Sequence, residues 1–252
     1  VSQAGTDADR RRQGVNDQPV FPPLLRGEEA GPGDDPLASA IDAAKAGTDA
    51  GLVMHRISAD HLAAALILAP EVDLADAMAM ALAAGLGAGD ALGALGPPEL
   101  AFHFVWPGGF AVNGAACGGL RVAAADTADD RVPDWLVIGI DLPLWSGEAP
   151  LRVDETSLFA EGLSDVSPLR LLEAWARHTL VWIHRWSDEG LAPLHAHWLA
   201  RTAKPGDKIA VRLPRGEECG VFVGLDDRGG LLLKRAKETV CLPLTEMLEP
   251  TC

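Results

Sequence analysis

The run from Phe104 to Val122, FVWPGGFAVNGAACGGLRV, constrains this chain more than any other segment. It predicts a strand, a tight turn, a second strand, a second turn and a third strand. Pro107 has no N–H for a ladder and fixes its own φ, so the buried apolar strand expected over Leu100–Trp106 must end there. Gly108 and Gly109 allow positive φ and close approach of backbones. Asn113-Gly114 is the strongest short-range hairpin signal. Gly118 and Gly119 leave a second stretch of backbone without side chains. Two bare stretches between apolar strands suit a pocket for a long apolar acyl or ring substrate.

The segments around it fill in a fold. Asp35-Pro36 opens a helix running to about Ala46, with Leu37, Ile41 and Ala44 on one face and Gly47 as its stop. Leu52–Ile57 reads as a strand. Residues 62–68 read as another, although their alanines leave a helix open. Asp73 opens a long Ala-, Leu- and Met-rich helix reaching Leu95, and Gly85, Gly87 and Gly89 predict a kink or a division in its second half. Residues 135–142 form a buried central strand. Ser167-Pro168 opens a further helix with Leu169, Leu172, Trp175, Trp182 and Trp186 on its inner face, and a short helix covers residues 194–201. Mixed strands with two long helices packed on them argue for an α+β fold. Lys204-Pro205-Gly206-Asp207 marks a linker. Four short strands follow, at 208–213, 219–225, 231–234 and 239–244, with Asp226–Gly230 as a hairpin loop. The expected organisation is a disordered tail over 1–20, a main domain over 21–203 and a small β domain over 204–252.

Composition excludes several roles. A net charge of −15 over 252 residues opposes binding to a phosphate backbone, so no nucleic acid partner is expected. Cysteines at 117, 219, 241 and 252 contain no CxxC pair, which argues against a disulfide framework or a zinc site and fits a reducing cytoplasm. His195-x-His197 falls on a predicted helix, where the two rings diverge, so no metal site is expected. No membrane span or secretory signal is expected either.

The central run resembles the motif of the biotin and lipoate protein ligases: Trp-Pro, a short strand, an Asn-Gly turn and a Gly before the next strand. Trp106, Pro107, Asn113, Gly114 and Gly119 match. The resemblance extends in matching order over roughly residues 35–249, and Gly220–Leu233 looks like the Gly-x-Val and Asp-x-x-Gly-x-Leu hairpin of the SH3-like barrel that follows the catalytic domain of biotin ligases. The resemblance therefore implies a mixed sheet with packed helices, of the class II synthetase and biotin-ligase type, plus a small C-terminal SH3-like β-barrel. Three departures remove charge. Val105 replaces the motif lysine, Gly108-Gly109 replace Asn-Asp, and Ala115-Ala116 replace the lysines after the turn. The Gly- and Arg-rich loop of the family is also missing between Val53 and Pro70. Residues 1–34 are too short and too acidic for the helix-turn-helix of repressor-type members.

The family activates a carboxylate with ATP and Mg²⁺, then passes the acyl group to a lysine of a carrier domain. By resemblance, the ligand here is a small biotin-, lipoate- or acyl-type acid, and the partner is a biotinyl or lipoyl carrier domain. Trp106, Pro107, Gly108 and Gly109 would form the pocket turn; Asn113, Gly114, Gly118 and Gly119 would offer amide and backbone donors; His103 would be a wall or pocket group. Arg56 is the early cation placed to meet a phosphate or carboxylate. Cys117 has two readings: a nucleophile carrying a thioester, as in octanoyl transferases of the same fold, or a small buried apolar residue. The alternative for the whole chain is a non-catalytic binder of an acyl ligand or an acylated carrier.

Overall fold

Residues 18–145, 152, 154–213 and 216–250 are described by a computed structural model. The tail expected over 1–20 lies outside the described residues except for its last three, where the Val20 amide donates to Glu173 (2.8 Å).

Seven strands build a large sheet: β1 (Arg26–Glu29), β2 (Leu52–Ile57), β3 (His61–Leu68), β4 (Phe102–Val105), β5 (Gly109–Val112), β6 (Ala115–Ala124) and β7 (Leu136–Pro143). Their spatial order is β1-β2-β3-β7-β6-β5-β4. The β1–β2 pair is parallel and all other neighbours are antiparallel. Apolar runs such as Leu62–Leu68 and Leu136–Ile140 occupy the centre, as strands covered on both faces require. The strand ending at Trp106 is not buried throughout. It is the far edge, with His103 and Val105 exposed while Phe104 is buried and stacks on Trp198 (ring centroids 5.3 Å).

One face of the sheet carries Leu62, Ala64 and Leu66 beside Ile138, Ile140 and Leu142. The helices on this side are α2 (Leu74–Ala77), α3 (Ala79–Leu95), α4 (Pro168–Glu189) and α5 (Ala192–Leu199), whereas α1 (Pro36–Lys45) lies on the other. The division of the long apolar helix falls at Met78, not at the glycines. Gly85, Gly87 and Gly89 lie inside an unbroken α3. A Cβ at Gly87 would stand 2.8 Å from the backbone nitrogen of Thr179, and one at Gly89 would stand 3.0 Å from the Phe102 ring. Each glycine weakens the helix by about 1 kcal/mol relative to alanine; the close approach of α4, locked by Trp175 Nε1 donating to the Ala84 carbonyl (3.2 Å), is what that allows. By length and composition the Leu74–Leu95 stretch could cross a membrane. Here every residue from Ala79 to Gly89 is buried within the protein.

The opposite face is covered over one part only. Asp35 caps α1 by accepting the Leu37 N–H (3.2 Å). The helix lays Leu37, Ala40 and Ala44 over Leu52, Ala65, Ile67 and Val137, forming a second core. Past the N-terminus of α1, no helix among the described residues covers this face.

The small sheet comprises β8 (Lys208–Leu213), β9 (Gly216–Leu225), β10 (Leu231–Lys234) and β11 (Thr239–Leu242), antiparallel in the order β11-β10-β9-β8. A separate C-terminal β unit is thus present, but β8 and β11 are open edges among the described residues, with no pairing that closes a barrel. A 3-10 turn, Leu244–Met247, then returns the chain to the large sheet, where the Glu249 amide donates to the Val122 carbonyl (2.8 Å).

His55 on β2 is buried, and burial holds its pKa below the ordinary 6.5, partly opposed by Glu29. The folded state therefore resists a proton that the unfolded chain accepts. Its contribution is complete above about pH 6.5 and is lost as pH falls from there toward the depressed folded value. Thermal melts taken between about pH 7 and 5.5 should show Tm falling with pH, with a shallower fall in His55→Gln. Equal slopes for the two proteins would contradict the assignment.

Candidate ligand face and the motif hairpin

The hairpin predicted from the motif is formed. Asn113 has φ +50° and Gly114 φ +89°, the pair of positive values that a two-residue turn of this hand requires. The Asn113 side chain accepts from the Ala101 amide (3.0 Å) and donates to Glu161 (2.5 Å). Its amide is thus spent on the fold.

The two bare backbone stretches face each other. The Leu120 amide donates to the Gly108 carbonyl (2.7 Å), and a Cβ on Gly119 would stand 2.6 Å from that same oxygen. A Cβ on Gly109 would meet Val105 at 3.2 Å, and one on Gly108 would meet Met247 at 2.8 Å. Gly118 has φ +77° and packs against the Asp141 carbonyl. At Gly118 and Gly119 a side chain would strike backbone of the neighbouring strand or turn, so these two glycines serve the close approach of β6 to its neighbours. Trp106, joined to Pro107 by a cis peptide bond, is buried; its Nε1 donates to the Gly229 carbonyl (3.2 Å) in the β9–β10 loop. It ties the two sheets together. With His103, Phe104 and Phe222 it also lines a cavity of about 330 Å³ at the seam between them.

Cys117 is fully buried, and burial first, then the Glu161 charge, pushes its thiol up to about 12. Such a thiol carries almost no thiolate near neutral pH, and nothing reaches it from solvent. Its burial and raised pKa fit the small apolar reading of Cys117 better than the nucleophile reading.

Arg56 behaves differently. The sheet registers Arg56 against Ala63, Ala63 against Asp141, Asp141 against Gly119, and Gly119 against Gly109. Directly opposed residues share a face, so these form one row across five strands on the part of the sheet that α1 leaves bare. Arg56 has no carboxylate within 4 Å among the described residues, while its charge helps to hold Asp141 ionised. Burial acts more strongly on Asp141 and raises its pKa, with His61, Arg121 and Arg56 opposing. His61 Nε2 stands 3.9 Å from the Asp141 carboxylate, and its Nδ1 stands 3.3 Å from that of Asp60.

Sequence reasoning missed Arg121. It is two residues beyond Gly119 on β6 and so on the same face. Its guanidinium grips Glu249 through two nitrogens (2.6 and 2.8 Å) and reaches Asp35 with a third (2.7 Å). These bonds raise its pKa, with Glu249 the larger cause. The available signal was a single arginine inside the apolar run Cys117–Ala124; an acid inside Val137–Leu144 marked Asp141 in the same way. In this arrangement the space between Asp35, Leu37, Ala63, Arg121 and Asp141 is only about 10 Å³. A larger apolar cavity, about 710 Å³ between Leu68, Val72, Met80, Ile183 and Trp186, contains no motif residue.

The model of the biotin/lipoate A/B protein ligase family matches residues 21–200. The chain belongs to that family. A biotin–[acetyl-CoA-carboxylase] ligase of Paracoccus denitrificans is 27% identical over 192 residues, which is 75% of this chain and 80% of that protein. A biotin protein ligase-like protein of unknown function from Silicibacter sp. is 48% identical, with a TM-score of 0.85, covering 92% of this chain and all of that one. The biotin protein ligase of Aquifex aeolicus has the same fold at 16% identity, with a TM-score of 0.69 over 88% of this chain and 96% of that one. The mixed sheet with packed helices is thus the biotin-ligase fold, and the chain is a biotin/lipoate ligase-like protein.

Proposed function

We propose that this family member takes up a biotin-, lipoate- or acyl-type carboxylic acid on the bare part of the large sheet and delivers it to a lysine of a carrier domain. One observation carries the reading: Arg56, without a carboxylate partner among the described residues, stands at the end of a row whose other members are Ala63, Asp141, Gly119 and Gly109. Small residues give a flat ligand a floor. A guanidinium fork matches a carboxylate or phosphate with two parallel hydrogen bonds. The nearby charges of Arg121 and Arg56 offset that of Asp141. Entry requires Arg121 to exchange Glu249 for the ligand or to swing aside.

The Paracoccus relative's name couples biotin to a carboxylase, which supports an acid ligand and a protein acceptor. Activation of a carboxylate by MgATP collects negative charge in a small volume. Arg56 and Arg121 are the cations available on this face to offset it, in place of the missing motif lysines. Free thiols at Cys117, Cys219 and Cys241 fit a cytoplasmic setting.

The test is a thermal-shift screen of biotin, lipoate, octanoate and their adenylates, with and without MgATP. Stabilisation by an adenylate, or by an acid only with MgATP, is expected, and Arg56→Ala should abolish it. Cys117→Ala should leave transfer to a carrier unchanged. A silent screen across all these ligands would overturn the proposal.

A further inference from the structure

Charge is unevenly distributed along the chain. Residues 1–200 hold 12 Lys and Arg against 28 Asp and Glu, whereas residues 201–252 hold nine against eight. Four of the five lysines, Lys204, Lys208, Lys234 and Lys237, fall in that last stretch.

The small sheet gathers two of them. Lys208 on β8 is registered against Val221 on β9, Val221 against Lys234 on β10, and Lys234 against Thr239 on β11. Opposed residues share a face, so the two ammonium groups flank Val221, two strand spacings or about 10 Å apart at their roots. This face looks outward. Lys208, Ala210, Cys219 and Lys234 are exposed, whereas Val211, Phe222 and Leu233 on the reverse are buried. A groove of about 820 Å³ runs over it, bounded by Lys208, Ala210, Cys219, Val221, Lys234 and Arg235. Three of the nearby acids are engaged elsewhere: Glu217 with Arg212 (3.7 Å), Glu218 with Arg235 (2.6 Å), and Asp207 with the Lys204 amide (2.8 Å). Among the described residues neither Lys208 nor Lys234 has a carboxylate partner within 4 Å.

We propose that this outer face of the small sheet docks an acidic polypeptide segment of a partner protein. Two unpaired ammonium groups beside an apolar strip attract carboxylates and offer Val221 and Ala210 to an apolar side chain between them. Residues 1–200 carry a net charge of −16, which disfavours an acidic segment on the main body and favours this patch. The same distribution favours a short acidic segment over a nucleic acid strand, whose phosphates would continue past the patch onto the acidic body. The proposal does not rest on the ligase reading, because the patch is on the other sheet from Arg56.

The experiment is fluorescence anisotropy with a fluorescein-labelled oligoglutamate peptide and the full chain. Binding that weakens as salt is raised is expected. Lys208→Glu combined with Lys234→Glu should weaken it at least about tenfold, and Lys208→Gln with Lys234→Gln should weaken it by less. Arg170→Glu, at an exposed position on α4, should leave it unchanged. Lack of oligoglutamate binding, or equal binding by the doubly reversed variant, would overturn the proposal. Tighter binding of a single-stranded oligonucleotide of equal charge, lost in the same variant, would overturn it in favour of a nucleic acid surface.

Discussion

Gly118→Ala is expected to cost on the order of 3–4 kcal/mol, or to prevent folding. Two effects add. The residue sits at φ +77°, where a side chain costs about 1–2 kcal/mol. Its Cβ would also overlap the backbone carbonyl of Asp141 and stand 3.0 Å from Pro143 Cδ. Neither neighbour is the far end of a flexible side chain. β7 is held on both sides, by β3 from His61↔Pro143 to Leu68↔Leu136 and by β6 from Gly119↔Asp141 onward, so it cannot retreat. Gly114→Ala is the matched control. It has φ +89° but open space around the position, so its cost should stay near about 1 kcal/mol. Denaturant titration of the two variants measures the difference. Similar losses would mean that the contact with β7 contributes nothing.

Trp106→Ala should lose about 3–5 kcal/mol, the usual range for deleting a buried large aromatic side chain. The indole is 4% exposed and donates to the Gly229 carbonyl, in a loop where a Cβ on Gly229 would stand 2.9 Å from Leu244 and 3.0 Å from Leu82. The variant therefore opens a cavity and strands a carbonyl where the β9–β10 hairpin meets the main body. Trp106→Phe keeps most of the volume and should lose only about 1 kcal/mol for the hydrogen bond. Hydrogen exchange at the amides of Leu231–Lys234 reports whether the small sheet loosens first. If Trp106 served instead as a ligand wall, the alanine variant would keep its stability and its exchange protection while losing ligand affinity alone.

Both predictions concern glycines and an aromatic whose identity, as a motif, was plain from the sequence and whose task was not. Trp106, Pro107, Gly108, Gly109, Gly118 and Gly119 were recognised together, and the bareness of the glycines suggested room for a ligand. The folded chain uses that bareness to bring β5, β6 and β7 into contact and to seat Met247 on the turn. A glycine does not record whether the atom that approaches it belongs to a ligand or to the protein. The same ambiguity held for Gly85, Gly87 and Gly89, which suggested a weak helix and in fact admit Phe104, Thr179 and Phe102 in turn.

What the sequence determined alone is local. The Asn113-Gly114 turn, the Asp35 cap and the Asp226 loop follow from interactions among residues a few positions apart and stand where expected, whereas β1 was not read from the sequence and the long helix divides at Met78 rather than at its glycines. The order of elements from α1 onward, and with it the family, could be read along the chain. The ligand face could not. Arg121 meets Asp35 across 86 positions and Glu249 across 128, and Arg56 reaches the row of Asp141 only through the pairing of β2, β3 and β7. Lys208 and Lys234 likewise come to flank Val221 only through the register of β8, β9 and β10. Strand order and register were decided by which apolar faces the helices cover, a property of the whole packed core, and they selected which isolated charges became neighbours.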